Sequence, residues 1–444
     1  MKTVRALALV LSFCVSLAPQ LVQAQAPAST AVAEAVPTAL ADYVNLPDDS
    51  FAWKLNSKSE LALGRIYDIE LISQTWMDMP WKHVFMIYEP QKVVHQEHVL
   101  LFITGGSQQS KPNEESQQLG LMLATLTGAR VAMLHQVPNQ PLLGGRKEDD
   151  LITDTFLFYL ATGDKRWPLL FPMVKSAVKA MDAVEQISAQ EWQQPVKGFV
   201  VTGASKRGWT TWLAAATDKR VVGIAPLVID TLNFQKQMDH QIATWGKYSE
   251  QIEDYTRKGL VQRMHDEKRD PLWKWVDPYT YRGQLGLPKL LVNGTNDRYW
   301  TVDALNNYWD DLPGTKYIRY VPNAGHNLKG GREGALATLA VFFQHVVSKK
   351  PLPVLQWEHT TVADGLQLKM KSDVAPTAVR LWVAASETKD FRDSEWKPQD
   401  LEANDGQFLG QVLKPKSGHV ALYGELQFQS GLLEYSLSTQ LRRE

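Results

Sequence analysis

From about residue 43 to residue 350 the chain alternates between two patterns of apolar and polar positions. Apolar-rich runs at 66–74, 83–89, 97–104, 130–134, 196–202, 221–229, 289–293 and 316–321 predict strands. Stretches with helical spacing at 117–126, 149–161, 173–187, 209–217, 302–310 and 333–348 predict helices between them. Strands alternating with helices build a mostly parallel sheet with helices on both faces, an α/β fold. The alternation breaks between Thr231 and Pro288, where the chain is polar, aromatic and helix-prone. After Lys349-Lys350-Pro351 it changes character again: short alternating runs at 355–361, 366–371, 378–385, 419–423 and 425–429 predict an all-β sandwich-like domain of immunoglobulin or fibronectin type over 351–444.

The most informative junction joins the strand at 196–202 to the helix at 209–217. Between them runs Gly203-Ala204-Ser205-Lys206-Arg207-Gly208. A serine on such a corner is forced into a tight turn that lifts its hydroxyl clear, while small neighbours let strand and helix approach. A serine hydroxyl needs an imidazole to take its proton, and the imidazole needs a carboxylate to fix its tautomer. Asp297 follows the run at 289–293, and His326 follows the run at 316–321. Serine, acid and histidine in this order, each after a strand, predict the α/β-hydrolase fold with a Ser205–His326–Asp297 triad. The break at about 231–288 is then a helical cap within a catalytic domain spanning 43–350. Asp230, after the run at 221–229, is the competing acid.

The oxyanion of a tetrahedral intermediate needs donors. One is expected from the backbone N–H of Lys206, at the start of the elbow helix. The other is expected from Gly105 and Gly106, in the loop after the run at 97–104. The elbow carries Arg207 where a second glycine is common, and Gly208 one residue later. This Gly-x-Ser-x-x-Gly pattern is similar to that of glucuronoyl esterases, in which a basic side chain after the serine assists the oxyanion. The Lys206 side chain therefore has three readings: oxyanion support, a contact for an acidic substrate group, or a solvent-facing lysine at a helix start. Of the 15 tryptophans, Trp273, Trp275 and Trp300 are the candidates to line a pocket, and Trp209 and Trp212 are expected in the core.

Lys2 and Arg5 precede an apolar run at 6–18 and then Val22-Gln23-Ala24, a pattern that predicts a signal peptide over 1–24. Residues 25–42, rich in Ala, Pro, Ser and Thr, read as a flexible leader. Export to the periplasm or outside the cell is the expectation. The lone cysteine, Cys14, lies inside the signal segment behind Phe13, so the mature chain has no thiol for a disulfide or a metal. Removing residues 1–24 takes away the charges of Lys2 and Arg5, so a formal net charge of −1 becomes −3. That balance gives no reason to expect nucleic acid. No later run is long and apolar enough to cross a membrane. No metal or organic cofactor is indicated.

The run from Val201 to Trp212, with Ile224–Asp230, Asn293–Asp297, Asn323–His326, Arg380-Leu381-Trp382, Asp390-Phe391-Arg392 and Trp396, resembles the PhoPQ-activated pathogenicity-related proteins. The resemblance implies a bacterial envelope or secreted protein, an α/β-hydrolase core with a β-rich tail, and a connection to virulence or envelope stress. It implies no substrate. An exported serine hydrolase acting on an ester, a peptide or a cell-envelope component is therefore one expectation. A binding or signalling protein that keeps the scaffold without turnover is the other.

Overall fold

The computed structural model describes residues 35–265 and 271–444. The expected signal peptide and most of the expected leader lie outside the described residues. The last leader residues are helical: Ala39–Val44 forms a helix whose Ala39, Leu40 and Tyr43 are buried. Residues Pro37–Glu444 form one compact unit.

The central sheet is built from β1 (Ala52–Leu61), β2 (Gly64–Trp76), β3 (Met79–Pro90), β4 (His98–Ile103), β5 (Arg130–Leu134), β6 (Gly198–Ala204), β7 (Val221–Leu227), β8 (Lys289–Gly294) and β9 (Lys316–Val321). Their order is β1-β2-β3-β5-β4-β6-β7-β8-β9. From β5 onward neighbouring strands run parallel, whereas β1, β2, β3 and β5 meet antiparallel. This is the α/β-hydrolase fold, with β1 added at the edge. β5 and β8 are buried along their whole length, as strands covered by helices on both faces must be. β1 has no buried residue, and apart from the half-buried Trp53 and Leu55 it is exposed, so its apolar signal is weak.

The helix expected at 302–310 is only a 3-10 turn at Ala304–Asn307. Its asparagines serve tertiary contacts instead: Asn306 donates to the Leu441 carbonyl and Asn307 to Gln237 Oε1. Between β7 and β8 lie helix Phe234–Trp245, helices Glu253–Arg257 and Leu272–Val276, and several 3-10 turns.

The C-terminal strands are β10 (Leu355–Val362), β11 (Gly365–Ser372), β12 (Ala378–Ser386), β13 (Lys397–Asp400), β14 (Ala403–Asn404), β15 (Gln407–Leu413), β16 (His419–Ser430), β17 (Leu433–Ser438) and β18 (Arg442–Arg443). β10, β11, β15 and β14 form one antiparallel sheet. β17, β16, β12 and β13 form the facing one, and Met370 of β11 packs on Gly424 of β16. β17 also pairs with β9 through Ser438 and Ile318, so this second sheet continues the central one.

Candidate active site

The parallel strands all end at one edge of the sheet, and the loops that follow them hold the predicted residues. Ser205 sits between β6 and helix Lys206–Thr217 with φ 57° and ψ −123°. For a residue with a Cβ this backbone is strained, at a cost of roughly 1–3 kcal/mol. Packing enforces it. A Cβ on Gly203 would come within 2.7 Å of the Arg207 carbonyl, and one on Gly208 within 2.7 Å of the Ile229 side chain. Strand and helix are therefore held as close as glycine permits, and Ser205 takes up the corner.

Asp297 is buried after β8, and its Oδ2 accepts the Nδ1–H of His326 at 2.7 Å. Its Oδ1 accepts the backbone N–H of Tyr299 at 3.0 Å. The Tyr299 ring lies over the imidazole at 4.3 Å, with Trp300 at 6.1 Å. His326 Nε2 makes no hydrogen bond, so none joins it to Ser205. Asp230, the competing acid, is not the partner of His326. It is buried after β7, where its Oδ1 accepts the Tyr308 hydroxyl at 2.6 Å. Burial, reinforced by the charge of Asp297, pushes its carboxyl up to about 7.

A cavity opens beside Ser205. Its walls are mainly apolar, with Trp209, Phe234, Met238, Trp273 and Trp300 among them. Tyr299 lines it too, so the ring stacked on His326 also faces the space beside Ser205. Trp275 is not in this wall. It packs against Tyr159 at 5.0 Å and Phe171 at 6.3 Å. Trp209, expected in the core, is both buried and part of the wall.

The polar end of the cavity is an acid–base cluster. Lys206 is not solvent-facing: its Nζ donates to Asp149 Oδ2 at 2.8 Å and lies 3.4 Å from Glu148. Asp149 also accepts the Tyr255 hydroxyl at 3.1 Å. Arg207 forms a bidentate pair with Glu148, at 2.9 and 2.7 Å, and donates Nε–H to the Val137 carbonyl. Burial by itself would raise the Glu148 carboxyl, but Arg207 and Lys206 outweigh it and hold the group at about 2. The positive charges next to the serine are thus matched by Glu148 and Asp149. Sequence reading missed this cluster, because its partners are 57 to 59 residues apart along the chain.

The Lys206 N–H occupies the first position of its helix, where backbone donors have no intrahelical partner. Gly105 and Gly106 follow β4. A Cβ on Gly105 would come within 2.5 Å of the Arg207 guanidinium, and Gly106 has φ 113°, a conformation other residues rarely adopt. Both glycines line a second cavity, with His135 and Asn113, and not the one beside Ser205. Among the described residues there is no group of three or more His, Cys, Asp or Glu able to hold a metal ion, and no helix is long and apolar enough to cross a membrane.

Residues 40–392 match the PhoPQ-activated pathogenicity-related proteins. The chain belongs to that family. Another similar protein is the autocrine proliferation repressor protein A of Dictyostelium discoideum, 32% identical over an alignment of 432 positions that covers 89% of this chain and 87% of that protein. Among solved structures, an acetyl xylan esterase from Paenibacillus sp. R4 is 14% identical with a TM-score of 0.48, covering 68% of this chain and 91% of its own. A glucuronoyl esterase from Solibacter usitatus is 12% identical with a TM-score of 0.44, covering 70% and 92%. Ser205, Asp297, His326 and Arg392 all lie within the matched span.

Proposed function

We propose that this family member is an exported serine hydrolase acting on a carboxylic ester or a peptide bond. The observation that carries the proposal is the strained Ser205 on the elbow, opening onto an apolar cavity whose Tyr299 wall rests on His326, itself paired with the buried Asp297. In the reaction Ser205 Oγ attacks the carbonyl carbon as His326 Nε2 takes its proton. Asp297 holds the ring with Nδ1 protonated and stabilises the imidazolium. The Lys206 N–H, with a donor from the Gly105-Gly106 loop, receives the developing oxyanion. The histidine returns the proton to the leaving group, and water then releases the acyl group by the same steps in reverse. The Ser205–His326 bond forms when substrate binds, as catalytic hydrogen bonds often tighten only in the complex.

The apolar wall fits an uncharged apolar group of the substrate. Lys206, already engaged by Asp149 and Glu148, is a poor receptor for an acidic one. The aromatic insertion and the β-rich tail support a peptide or cell-envelope substrate within this proposal, and the family's name supports a role in virulence or envelope stress. The test is labelling by a fluorophosphonate, compared with Ser205→Ala and His326→Ala.

One observation favours a second reading, a binding or signalling protein without turnover: His326 Nε2 is unbonded. The name of the Dictyostelium relative, a repressor of proliferation, is in keeping with it. In that case the parent protein stays unlabelled although folded.

A further inference from the structure

The motif Asp390-Phe391-Arg392 and Trp396 lie in the loop 387–396, between β12 and β13 of the C-terminal sheets. Nothing in the triad chemistry uses them, yet the loop reaches the residues on both sides of Asp297. Asn296 Nδ2 donates to the Arg392 carbonyl at 3.2 Å and the Ser394 carbonyl at 2.7 Å. Arg298 Nη1 donates to Asp393 Oδ1 at 2.7 Å. The loop also clasps the segment that carries His326. Asn323 Oδ1 accepts the Trp396 N–H at 2.7 Å, and Asn323 Nδ2 donates to the Trp396 carbonyl at 2.9 Å.

A third set of contacts reaches the insertion. The Arg392 guanidinium lies 4.0 Å over the Trp245 ring and donates to Glu250 Oε2 at 2.8 Å, while Asp390 holds its other edge. The loop itself is anchored: Phe391 and Trp396 are buried, and Trp396 packs on Tyr423 of β16, which packs on Tyr320 of β9. An anchored loop with paired side chains imposes its own geometry on what it touches. The acid and histidine loops also join each other, through Asn296 N–H to the Ala324 carbonyl and Asn323 N–H to Thr295 Oγ1.

We propose that loop 387–396 is a positioning element of the hydrolase site. Through Asn296, Arg298 and Asn323 it fixes the Asp297–His326 pair, and through Arg392 it fixes the insertion beside the cavity. The inference rests on the serine hydrolase reading for its consequence in rate, but the geometry it concerns is measurable without turnover.

The test uses the full chain with Asn296→Ala and Asn323→Gly. Asn323 has φ 56°, so glycine removes the clasp without adding backbone strain. Two quantities are read well below each variant's Tm: the downfield proton NMR signal of His326 Nδ1–H, and the rate constant of fluorophosphonate labelling. The expected result is a shifted or lost NMR signal and labelling slowed by at least about tenfold, since small misplacements of catalytic groups cost that much or more. Folded variants that keep the parent's signal and a rate within about twofold overturn the proposal. If Asn323→Gly fails to fold, Asn296→Ala decides alone. If the parent is not labelled, the hydrolase reading fails, and the NMR comparison still decides the positioning claim: loss of the signal supports it and retention overturns it.

Discussion

Lys206 Nζ lies 2.8 Å from Asp149 Oδ2, so the basic residue next to the elbow serine spends its charge on the wall of the cavity. Its side chain is only 10% exposed. Asp149→Asn leaves this ammonium with Glu148 at 3.4 Å as its remaining anionic partner. Removing one member of a buried pair is costly, and with Glu148 in place the expected loss is about 2 kcal/mol in denaturant unfolding. The freed ammonium should also shift preference toward esters with an acidic acyl group, read as a ratio of kcat/KM values.

Glu148 supplies a pH dependence at the acid end. Its carboxyl sits at about 2, below the ordinary 4.5. A lowered carboxyl stabilises the fold fully above 4.5, and the contribution is lost as pH falls toward 2. The side chain is 41% exposed, so solvent screening limits the contribution to roughly 1 kcal/mol. Glu148→Gln should flatten the stability profile between those values, as checked by unfolding at a series of pH values.

Asp230 acts in the opposite sense. Its carboxyl is raised from 3.8 to about 7, so between these values the folded state holds a proton that the unfolded chain has lost. Stability therefore falls as pH rises from about 4 to about 7. Asp230→Asn keeps an acceptor for Tyr308 and cannot ionise. The variant should match the parent near pH 4 and exceed its stability at pH 8. Asp277, also raised to about 7, gives the same slope in both proteins and cancels in the comparison.

Gly105→Ala should be disproportionately harmful to labelling. Its Cβ would meet the Arg207 guanidinium at 2.5 Å, and that group is pinned by Glu148 and the Val137 carbonyl. Either Arg207 or the loop after β4 must move. A loss of fluorophosphonate labelling of at least about tenfold is expected, the scale of a displaced oxyanion donor. Wild-type labelling would remove this loop from the oxyanion assignment.

Much of the fold was legible because its signals are local. β5 carries the apolar run Val131-Ala132-Met133-Leu134 and β8 the run Leu290-Leu291-Val292, and the elbow is spelled out by Gly203, Ser205 and Gly208. Asp297 and His326 stand just after strands, so their meeting follows from strand order. β1 was hidden because none of its residues is buried and only Trp53 and Leu55 are even half-buried. The choice between Asp230 and Asp297 needed the structure, since both follow strands and only the hydrogen bond to His326 separates them. Trp275 and Trp273 are two residues apart in the insertion, yet only Trp273 reaches the cavity, which the composition of that stretch does not encode. The Arg207–Glu148 pair and the reach of Arg392 to Glu250 join distant parts of the chain, and no periodicity reports such contacts.

The central claim is that Ser205 is an activated nucleophile, and the direct measurement is fluorophosphonate labelling of the purified protein beside Ser205→Ala and His326→Ala. The account predicts a labelled parent, no labelling of Ser205→Ala, and a labelling rate lowered by at least about a thousandfold in His326→Ala, as the loss of a triad histidine requires. A folded parent that stays unlabelled, or labelling that survives in Ser205→Ala, would contradict it.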